Sequence, residues 1–276
     1  MKALIPWTGG KTRLLKTIKQ NLPASYNHYY EPFIGGGSVL LDLLPESATI
    51  NDHNDDLIML YQALKENKDK LFKRIQKHFE NDSKDYYLQI RNLDRDTDAF
   101  SKLTNVEKAA RMFYLIKRAY GNLWRTNKKG QMNTSYRTDR TGKMDMHFEN
   151  LESIHHYLNS HDVKIVNTDF EEVVASAKKG DFVYFDPPYI PLKPGSDFTS
   201  YTKEGFTYAD QVRLKDCFID LTNRGVYVMI SNSSAALTYD LYKDIAKRII
   251  NVDIKHMIGA RSKKPETIQE VLIMNY

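Results

Sequence analysis

The stretch EPFIGGG, residues 31–37, decides the fold, because a strand that ends near Glu31 runs directly into three glycines. The sequence after Gly37 predicts a helix that continues to Leu44, and residues 48–51 predict a second strand with Asp52 at its end. Glycines between a first strand and its helix let the backbone approach a bound cofactor, and an acid that ends the second strand can accept ribose hydroxyl protons. A glycine turn that merely packs the helix against the strand is the structural alternative.

Two other cofactor classes fit this region less well. The glycines depart from the dinucleotide fingerprint GxGxxG, since Leu40 stands three positions beyond Gly37. A nicotinamide cofactor, and with it an oxidoreductase, is therefore disfavoured. The stretch WTGGK at residues 7–11 resembles a phosphate loop, but it lacks both the spacing of that motif and a preceding strand. An ATPase is disfavoured for that reason.

A long helical stretch interrupts the sheet signals. Residues 56–147 are amphipathic and rich in charge, whereas short apolar or β-branched segments return at 163–166, 182–185 and 226–230. We therefore expect an α/β fold with a Rossmann-like sheet that is split in sequence. The predicted boundaries are residues 1–55 and 148–276 for the sheet domain and 56–147 for an inserted, mainly helical domain.

Within this insertion, turn-forming residues lie between two segments suited to pairing. The turn covers residues 127–131, and the flanking segments cover 123–126 and 132–136. This pattern predicts a β-hairpin, and basic side chains such as Arg118, Arg125 and Lys128 surround it.

Composition limits the remaining classes of protein. The net charge is +5 over 276 residues, which does not by itself establish a polyanionic partner. The single cysteine, Cys217, excludes a disulfide framework and a cysteine-based zinc site. No apolar run reaches the length of a signal peptide or a membrane span. We expect a cytoplasmic monomer that uses no metal and contacts no membrane.

The tetrapeptide DPPY, residues 186–189, follows the apolar strand 182–185, where an open α/β sheet presents its ligands. The exocyclic amine of a nucleobase is a poor nucleophile, because its lone pair is delocalised into the ring. A carboxylate and a carbonyl that accept its two protons favour the pyramidal amine required for attack. Asp186 and the carbonyl of Pro187 supply such a pair, and Tyr189 is placed to stack on the base. A tight turn between strand and loop is the structural alternative.

A base inside a duplex cannot reach such a site, so the hypothesis requires the target base to flip out of the stack. The aromatic loop 197–206 is a candidate lid over that base, although its aromatic side chains would equally suit structural packing.

With these residues placed, the chain resembles the α-group DNA adenine-N6 methyltransferases of the Dam type, in particular the DpnM-like enzymes. The resemblance covers nearly the whole chain and includes residues 7–11, 31–37, 180–191, 209–214 and 231–234. It implies an S-adenosylmethionine-dependent methyltransferase that modifies adenine in double-stranded DNA, with residues 56–147 as the target recognition domain. The cofactor-binding residues that it implies are Trp7, Lys11, Glu31, Phe33, Gly35, Gly37, Asp52, Asp169, Phe170 and Asp186.

In the resemblance, Asp169 and Phe170 end the third sheet strand and flank the cofactor adenine. The residues alone indicate instead that Asp169 caps a helix. The DNA-binding residues are expected around the hairpin, and they are Arg118, Asn122, Leu123, Arg125, Asn127, Lys128 and Arg137.

Three positions depart from the family pattern. Pro6 replaces the usual lysine before Trp7, residues 121–122 invert the usual Asn-Gly order, and Thr134-Ser135 replaces a Val-Pro pair. Arg125 is retained as a candidate for a bidentate contact to guanine, with a phosphate contact or a solvated side chain as the alternatives. The resemblance implies GATC as the methylated site, and these departures extend the expectation to GATC or a related short sequence.

Several alternatives share part of this evidence. The same tetrapeptide would serve a cytosine-N4 methyltransferase, or an enzyme that methylates RNA or a protein glutamine. A catalytically silent DNA-binding protein on the same fold is the alternative from another class, and the intact Asp186, Tyr189, Asp52 and glycine loop speak against it.

Overall fold

The computed structural model describes residues 1–138, 146–192, 205–256 and 266–276. Seven strands form one sheet in the order β3-β2-β1-β4-β5-β7-β6. Their bounds are β1 Tyr29–Glu31, β2 Ser47–Asn51, β3 Asp162–Val166, β4 Phe182–Phe185, β5 Tyr227–Ser233, β6 Arg248–His256 and β7 Glu266–Met274.

Ten α-helices lie in the described part of the chain. Their bounds are α1 Leu15–Gln20, α2 Leu40–Leu43, α3 Asp55–Glu80, α4 Lys84–Asn92, α5 Thr97–Ser101, α6 Asn105–Arg118, α7 Phe148–Ser160, α8 Phe170–Val173, α9 Tyr208–Asn223 and α10 Ala236–Tyr242. Among the described residues, no helix is long and apolar enough to cross a membrane.

The centre of the sheet is parallel and its far end is antiparallel. β1 pairs in parallel with β2 and β4, and β4 pairs in parallel with β5, so that Phe185 lies opposite Ile230. β7 then pairs antiparallel with both β5 and β6. All four residues of β4 are fully buried, as expected for a central parallel strand. The predicted α/β fold is confirmed.

The sequence predicted the central strands but missed the last two. The predicted strand 182–185 coincides with β4, whereas β5 extends three residues beyond its predicted end. β6 and β7 were not predicted, because charged and amide side chains interrupt their apolar residues.

The chain divides into two compact units. The first contains residues 1–11, 34–44 and 52–167, and the second contains residues 12–33, 45–51 and 168–276. In the first unit, α3 packs extensively on α6. Thr104 and Glu107 form a capping box at the start of α6, and residues 109–118 are buried on every side of this helix. In the second unit the core is the parallel part of the sheet.

Candidate active site and recognition hairpin

The glycine loop of the first unit requires glycine for two reasons. Gly35 and Gly37 have φ angles of 51° and 75°, in the left-handed region that side chains disfavour. In addition, a Cβ on Gly35 would lie 2.8 Å from a ring carbon of Trp7, and one on Gly37 would lie 2.5 Å from the hydroxyl of Tyr61. The loop is therefore packed closely against two aromatic side chains.

Asp52 holds this loop from the end of β2. Its Oδ2 accepts a hydrogen bond from the backbone N–H of Gly35 at 3.0 Å, and its Oδ1 accepts one from Asn54 at 3.0 Å. Burial raises the pKa of Asp52, and the backbone hydrogen bonds from Asn54 and Gly35 oppose that rise. A carboxylate oxygen can accept a second hydrogen bond. Asp52 therefore fits a cofactor with ribose hydroxyls, because one carboxylate can support the loop and still accept hydrogen bonds from the sugar.

Lys11 and Trp7 belong to the same unit. Lys11 is buried, and its ammonium group donates to the carbonyl of Gly9. The backbone N–H of Gly10 donates to the carbonyl of Trp7 at 3.2 Å, so the stretch 7–11 folds back on itself as a loop. A phosphate loop joins a strand to a helix, and this geometry differs from it.

In the second unit, three aromatic rings surround Phe33. Its ring centroid lies 5.6 Å from that of Phe170, 6.3 Å from that of Phe185 and 5.7 Å from that of Phe206. The guanidinium of Arg213 lies 4.8 Å from the centre of the Phe170 ring. Aromatic faces of this kind suit the packing of an adenine ring. Residues 197–204 of the proposed lid lie outside the described residues.

Asp169 does not end a strand. β3 ends at Val166, and the carboxylate of Asp169 accepts the backbone N–H of Glu171 at 3.0 Å as the N-cap of α8. The placement at the end of the third strand is therefore wrong, and the prediction of a helix cap is confirmed. Arg213 also donates to Asp169 and to Glu171, each at 2.7 Å, so the carboxylate has a defined orientation.

Glu31 is buried at the end of β1, where its Oε2 accepts the hydroxyl of Tyr29 at 2.8 Å. Burial, and then the charge of Glu31, raise the pKa of Tyr29 well above its usual value. The hydrogen bond therefore joins a neutral phenol to the carboxyl group.

The tetrapeptide follows β4 directly and is braced by two other elements. Gln211 of α9 donates to the carbonyl of Pro188 at 3.0 Å. Asn232 of β5 accepts the backbone N–H of Ile190 at 3.0 Å, and the hydroxyl of Ser233 donates to the carbonyl of Ile190. Asp186 is half-buried and is the first residue after the strand. The loop that carries it is thus fixed on both sides of Tyr189.

Tyr189 is held through its hydroxyl, which donates to Oε2 of Glu270 on β7 at 2.6 Å. Burial, followed by the nearby charge of Asp186, raises the pKa of Tyr189 well above its usual value. The phenol is therefore a donor near neutral pH, and its ring has a fixed position.

The candidate recognition hairpin, residues 119–137, contains two isolated antiparallel bridges. They join Thr126 to Met132 and Ala119 to Tyr136. The turn is closed by the side chain of Asn127, which accepts the backbone N–H groups of Lys129 at 2.9 Å and of Gln131 at 3.1 Å. This is the Asx-type turn that asparagine stabilises. The predicted β-hairpin is confirmed.

The basic residues of the hairpin and of the helix end that precedes it fall into two groups. Arg125 and Lys128 are exposed. Arg118 and Arg137 are buried: Arg118 pairs with Asp82, and Arg137 donates to Asn122 at 3.0 Å. Leu123 is half-buried. Burial thus separates residues that can meet a ligand at the surface from residues that support the hairpin.

Sequence reasoning assigned no role to the residues that brace the tetrapeptide or orient Asp169, although segments 209–214 and 231–234 belong to the family resemblance. Asn232 and Ser233 follow the predicted strand 226–230 within three residues, which is a usable signal. Gln211 and Arg213 lie in a helix whose pattern indicates only amphipathicity. Glu270 is a lone acid before an apolar run, and nothing in its neighbourhood predicts a partner 81 residues away.

The glycine loop after β1, the acid after β2 and DPPY after β4 are the features that the resemblance predicts for an S-adenosylmethionine-dependent methyltransferase that acts on an amino group. The family described as "D12 class N6 adenine-specific DNA methyltransferase" matches residues 7–258. The chain is 45% identical to the Type II methyltransferase M1.LlaDCHI of Lactococcus lactis subsp. cremoris, over 100% of this chain and 96% of that protein.

Two further relatives are more distant. The Type II methyltransferase M.MjaIII of Methanocaldococcus jannaschii is 35% identical, over 100% of this chain and 99% of that protein. The DNA adenine methylase of Escherichia coli K12 is 30% identical, over 97% of this chain and 94% of that protein. The chain therefore belongs to the D12 class of N6 adenine-specific DNA methyltransferases.

This membership confirms the predicted enzyme class and the resemblance to Dam-type enzymes. The protein is an adenine-N6 DNA methyltransferase, its substrate is DNA, and S-adenosylmethionine is its methyl donor. Adenine rather than cytosine is the methylated base, which removes the cytosine-N4 alternative.

Proposed function

We propose that this enzyme methylates N6 of an adenine that is flipped out of double-stranded DNA, within GATC or a related short site, and that it acts as a monomer. One observation carries the catalytic part of the proposal. The loop with Asp186 is fixed at the carboxyl end of β4 by Gln211, Asn232 and Ser233. A preorganised acceptor pair needs such fixation, because its dipoles must not reorganise during the reaction.

The chemistry assigned to the loop is proton acceptance. The carboxylate of Asp186 accepts one N6 proton and the carbonyl of Pro187 accepts the other, which localises the nitrogen lone pair for attack. S-adenosylmethionine supplies a methyl group on a positively charged sulfur. Transfer of that methyl group to N6, with the thioether as the leaving group, would make the amine cationic. Asp186 stabilises that charge and takes up the proton that the product amine releases.

The cofactor-binding roles are assigned residue by residue. Asp52 would accept the ribose hydroxyls while it supports the glycine loop. Phe33 and Phe170 would contact the adenine ring, and the oriented carboxylate of Asp169 would accept a hydrogen bond from its amine. The other residues assigned to this site are Trp7, Lys11, Glu31, Gly35, Gly37 and Asp186.

DNA recognition is assigned to residues 56–147, as the target recognition domain between the catalytic segments 1–55 and 148–276. Exposed Arg125 would contact guanine in the major groove, and exposed Lys128 would contact phosphate. We assign Arg118, Asn122 and Arg137 to support of the hairpin, because the two guanidinium groups are buried. Leu123 and Asn127 would shape its surface and its turn.

Sequencing of DNA from a host that expresses the enzyme tests this function. Single-molecule sequencing that detects N6-methyladenine should show modification at one short site, on both strands of the duplex, and none in a host that expresses Asp186→Ala. Methylation at a single site other than GATC would correct the sequence and leave the chemistry intact. Activity confined to single-stranded DNA would contradict the proposed flipping from a duplex.

A further inference from the structure

A carboxylate that the motif does not contain touches the tetrapeptide. Glu270 lies on β7, and its Oε2 accepts the hydroxyl of Tyr189 at 2.6 Å. Hydrogen bonds to an ionised acceptor are shorter than neutral ones and roughly twice as strong. The contact therefore restricts the Tyr189 ring more than an ordinary polar contact would.

The sheet register explains how Glu270 reaches this position. Glu270 lies directly opposite Ser233 in the antiparallel pair of β7 and β5. Opposite residues in such a pair project from the same face of the sheet. Ser233 holds the carbonyl of Ile190, and Glu270 holds the adjacent side chain of Tyr189. One rung of the sheet thus anchors both the backbone and the aromatic ring at the end of the tetrapeptide.

We propose that Glu270 is a positioning residue, which fixes the plane of the Tyr189 ring for stacking on the flipped adenine. The inference rests on the proposed function, since it assumes that Tyr189 stacks on the target base. A ring held only by its Cα–Cβ bond rotates about two side-chain torsions, whereas a hydroxyl anchored at the far end removes that freedom. The base then meets a surface that is already oriented, and less binding free energy is spent on ordering the ring.

A double-mutant cycle separates this role from a merely structural one. Glu270→Ala should lower kcat/KM for a duplex that contains the methylated site by about tenfold, the effect of losing one hydrogen bond to a charged group. Glu270→Gln keeps an acceptor and should lose less. In the Tyr189→Phe background, which keeps the ring but not its hydroxyl, Glu270→Ala should cause no more than about a twofold further loss, because coupled residues are not additive.

The matched control is Gln269→Ala. Gln269 is the preceding residue of β7, so its side chain projects from the opposite face. It is exposed and donates to Asp253 at 2.8 Å. This variant should keep wild-type kinetics. Thermal unfolding of every variant identifies any loss that comes from misfolding, and the isosteric Glu270→Gln variant gives a result if Glu270→Ala does not fold.

A fluorescent base gives the second readout. With 2-aminopurine in place of the target adenine, stacking on Tyr189 should quench the flipped base in the wild-type complex. The complex with Glu270→Ala should be brighter. Full additivity in the Tyr189→Phe background, together with equal fluorescence of the two complexes, would overturn the role of Glu270. No rise in fluorescence when Tyr189→Ala binds, a variant in which no ring stacks on the flipped base, would contradict base flipping itself, while the kinetic cycle would still report on Glu270 and Tyr189.

Discussion

The loop to which we assign catalysis and the hairpin to which we assign DNA recognition are both irregular segments held by side chains, but they are held in different ways. The loop at residues 186–190 continues a buried parallel strand, and three neutral side chains from α9 and β5 secure its backbone. The hairpin is made of two isolated bridges, and charged side chains secure it.

Two ion pairs lie under the hairpin. Asp94 accepts the backbone N–H of Met132 at 2.8 Å and pairs with buried Arg111 at 2.8 Å. Asp82 pairs with Arg118 and also accepts the hydroxyls of Tyr114 and Tyr136.

Neutral donors also hold the return side of the hairpin. The hydroxyl of Tyr87 donates to the carbonyl of Thr134 at 3.0 Å.

The difference shows how each region obtains its precision. The paired strand before it fixes the position of a loop that extends a sheet, so a few neutral hydrogen bonds are enough to hold the backbone of the loop. A hairpin without such a strand depends on buried charges, which stabilise only when every partner is present. The recognition region should therefore be the more sensitive of the two to the loss of one partner and to pH.

The largest expected effect falls on the catalytic loop alone. Asp186→Ala should lower kcat by on the order of 10³-fold, as loss of a preorganised electrostatic contact does elsewhere. DNA affinity and the free energy of unfolding should change little, because the hairpin and its ion pairs are untouched. Methyl transfer from labelled S-adenosylmethionine measures kcat. Fluorescence anisotropy measures DNA affinity, and urea denaturation measures the free energy of unfolding. Wild-type turnover in this variant would refute the mechanism.

The next effect tests the hairpin side. Asp94→Ala leaves the guanidinium of Arg111 buried without its carboxylate, and the free energy of unfolding should fall by about 3–5 kcal/mol. Urea denaturation followed by circular dichroism measures this loss. Asp98→Ala on exposed α5 is the matched control and should cost less than about 0.5 kcal/mol. Similar losses in both variants would show that the buried ion pair does not stabilise this region.

A smaller effect should appear when the pH is lowered. His78 stacks on Tyr114 in the hairpin network, and burial lowers its pKa to about 4, with the charges of Arg74, Lys77 and Arg111 adding to the shift. The unfolded chain therefore binds the proton more tightly. The stabilisation is complete above the unfolded pKa of about 6.5 and is lost as the pH falls towards 4.

Because the pKa of His78 differs between the folded and the unfolded chain, lowering the pH from 7 to 5 should reduce the free energy of unfolding by about 2 kcal/mol. Urea unfolding at the two pH values measures the loss. The variant His78→Gln removes the titrating group, so its stability should depend on pH less than that of the wild type by that amount. Parallel pH profiles for the two proteins would contradict the assignment.

The smallest effect distinguishes two exposed residues of the hairpin. Arg125→Ala should reduce discrimination between the methylated site and a site with one changed base by about 10-fold to 100-fold, while Lys128→Ala should weaken binding to both equally. Lys128→Ala should also lower the slope of log affinity against log salt by about 1. Competition binding at several salt concentrations measures both quantities. Exposed Lys70 on α3 offers the control variant, and a Lys128 slope equal to the Lys70 slope would rule out a phosphate contact.

Particular residues show which features could be predicted from the sequence and which could not. The strand before Asp186, the acid after β2 and the turn at Asn127 could be predicted, because each depends on its immediate neighbours. The resemblance placed Asp169 at the end of a strand, which is wrong. The residues alone indicated a helix cap, which is confirmed, because a helix cap is a local feature. β6 and β7 could not be predicted, because their apolar pattern is broken and each is stabilised by a distant partner.

The sequence by itself determined the motifs on which the proposed chemistry rests: a glycine loop with its φ requirements, an acid at a strand end, and the tetrapeptide DPPY are all encoded within a few consecutive residues. Only the tertiary structure decided which side chains hold these parts in place. Glu270 meets Tyr189, and Asp94 meets Arg111, because distant segments pack together. The tertiary structure likewise buries Arg118 and leaves Arg125 at the surface, since the exposure of a side chain depends on what the rest of the chain packs against it.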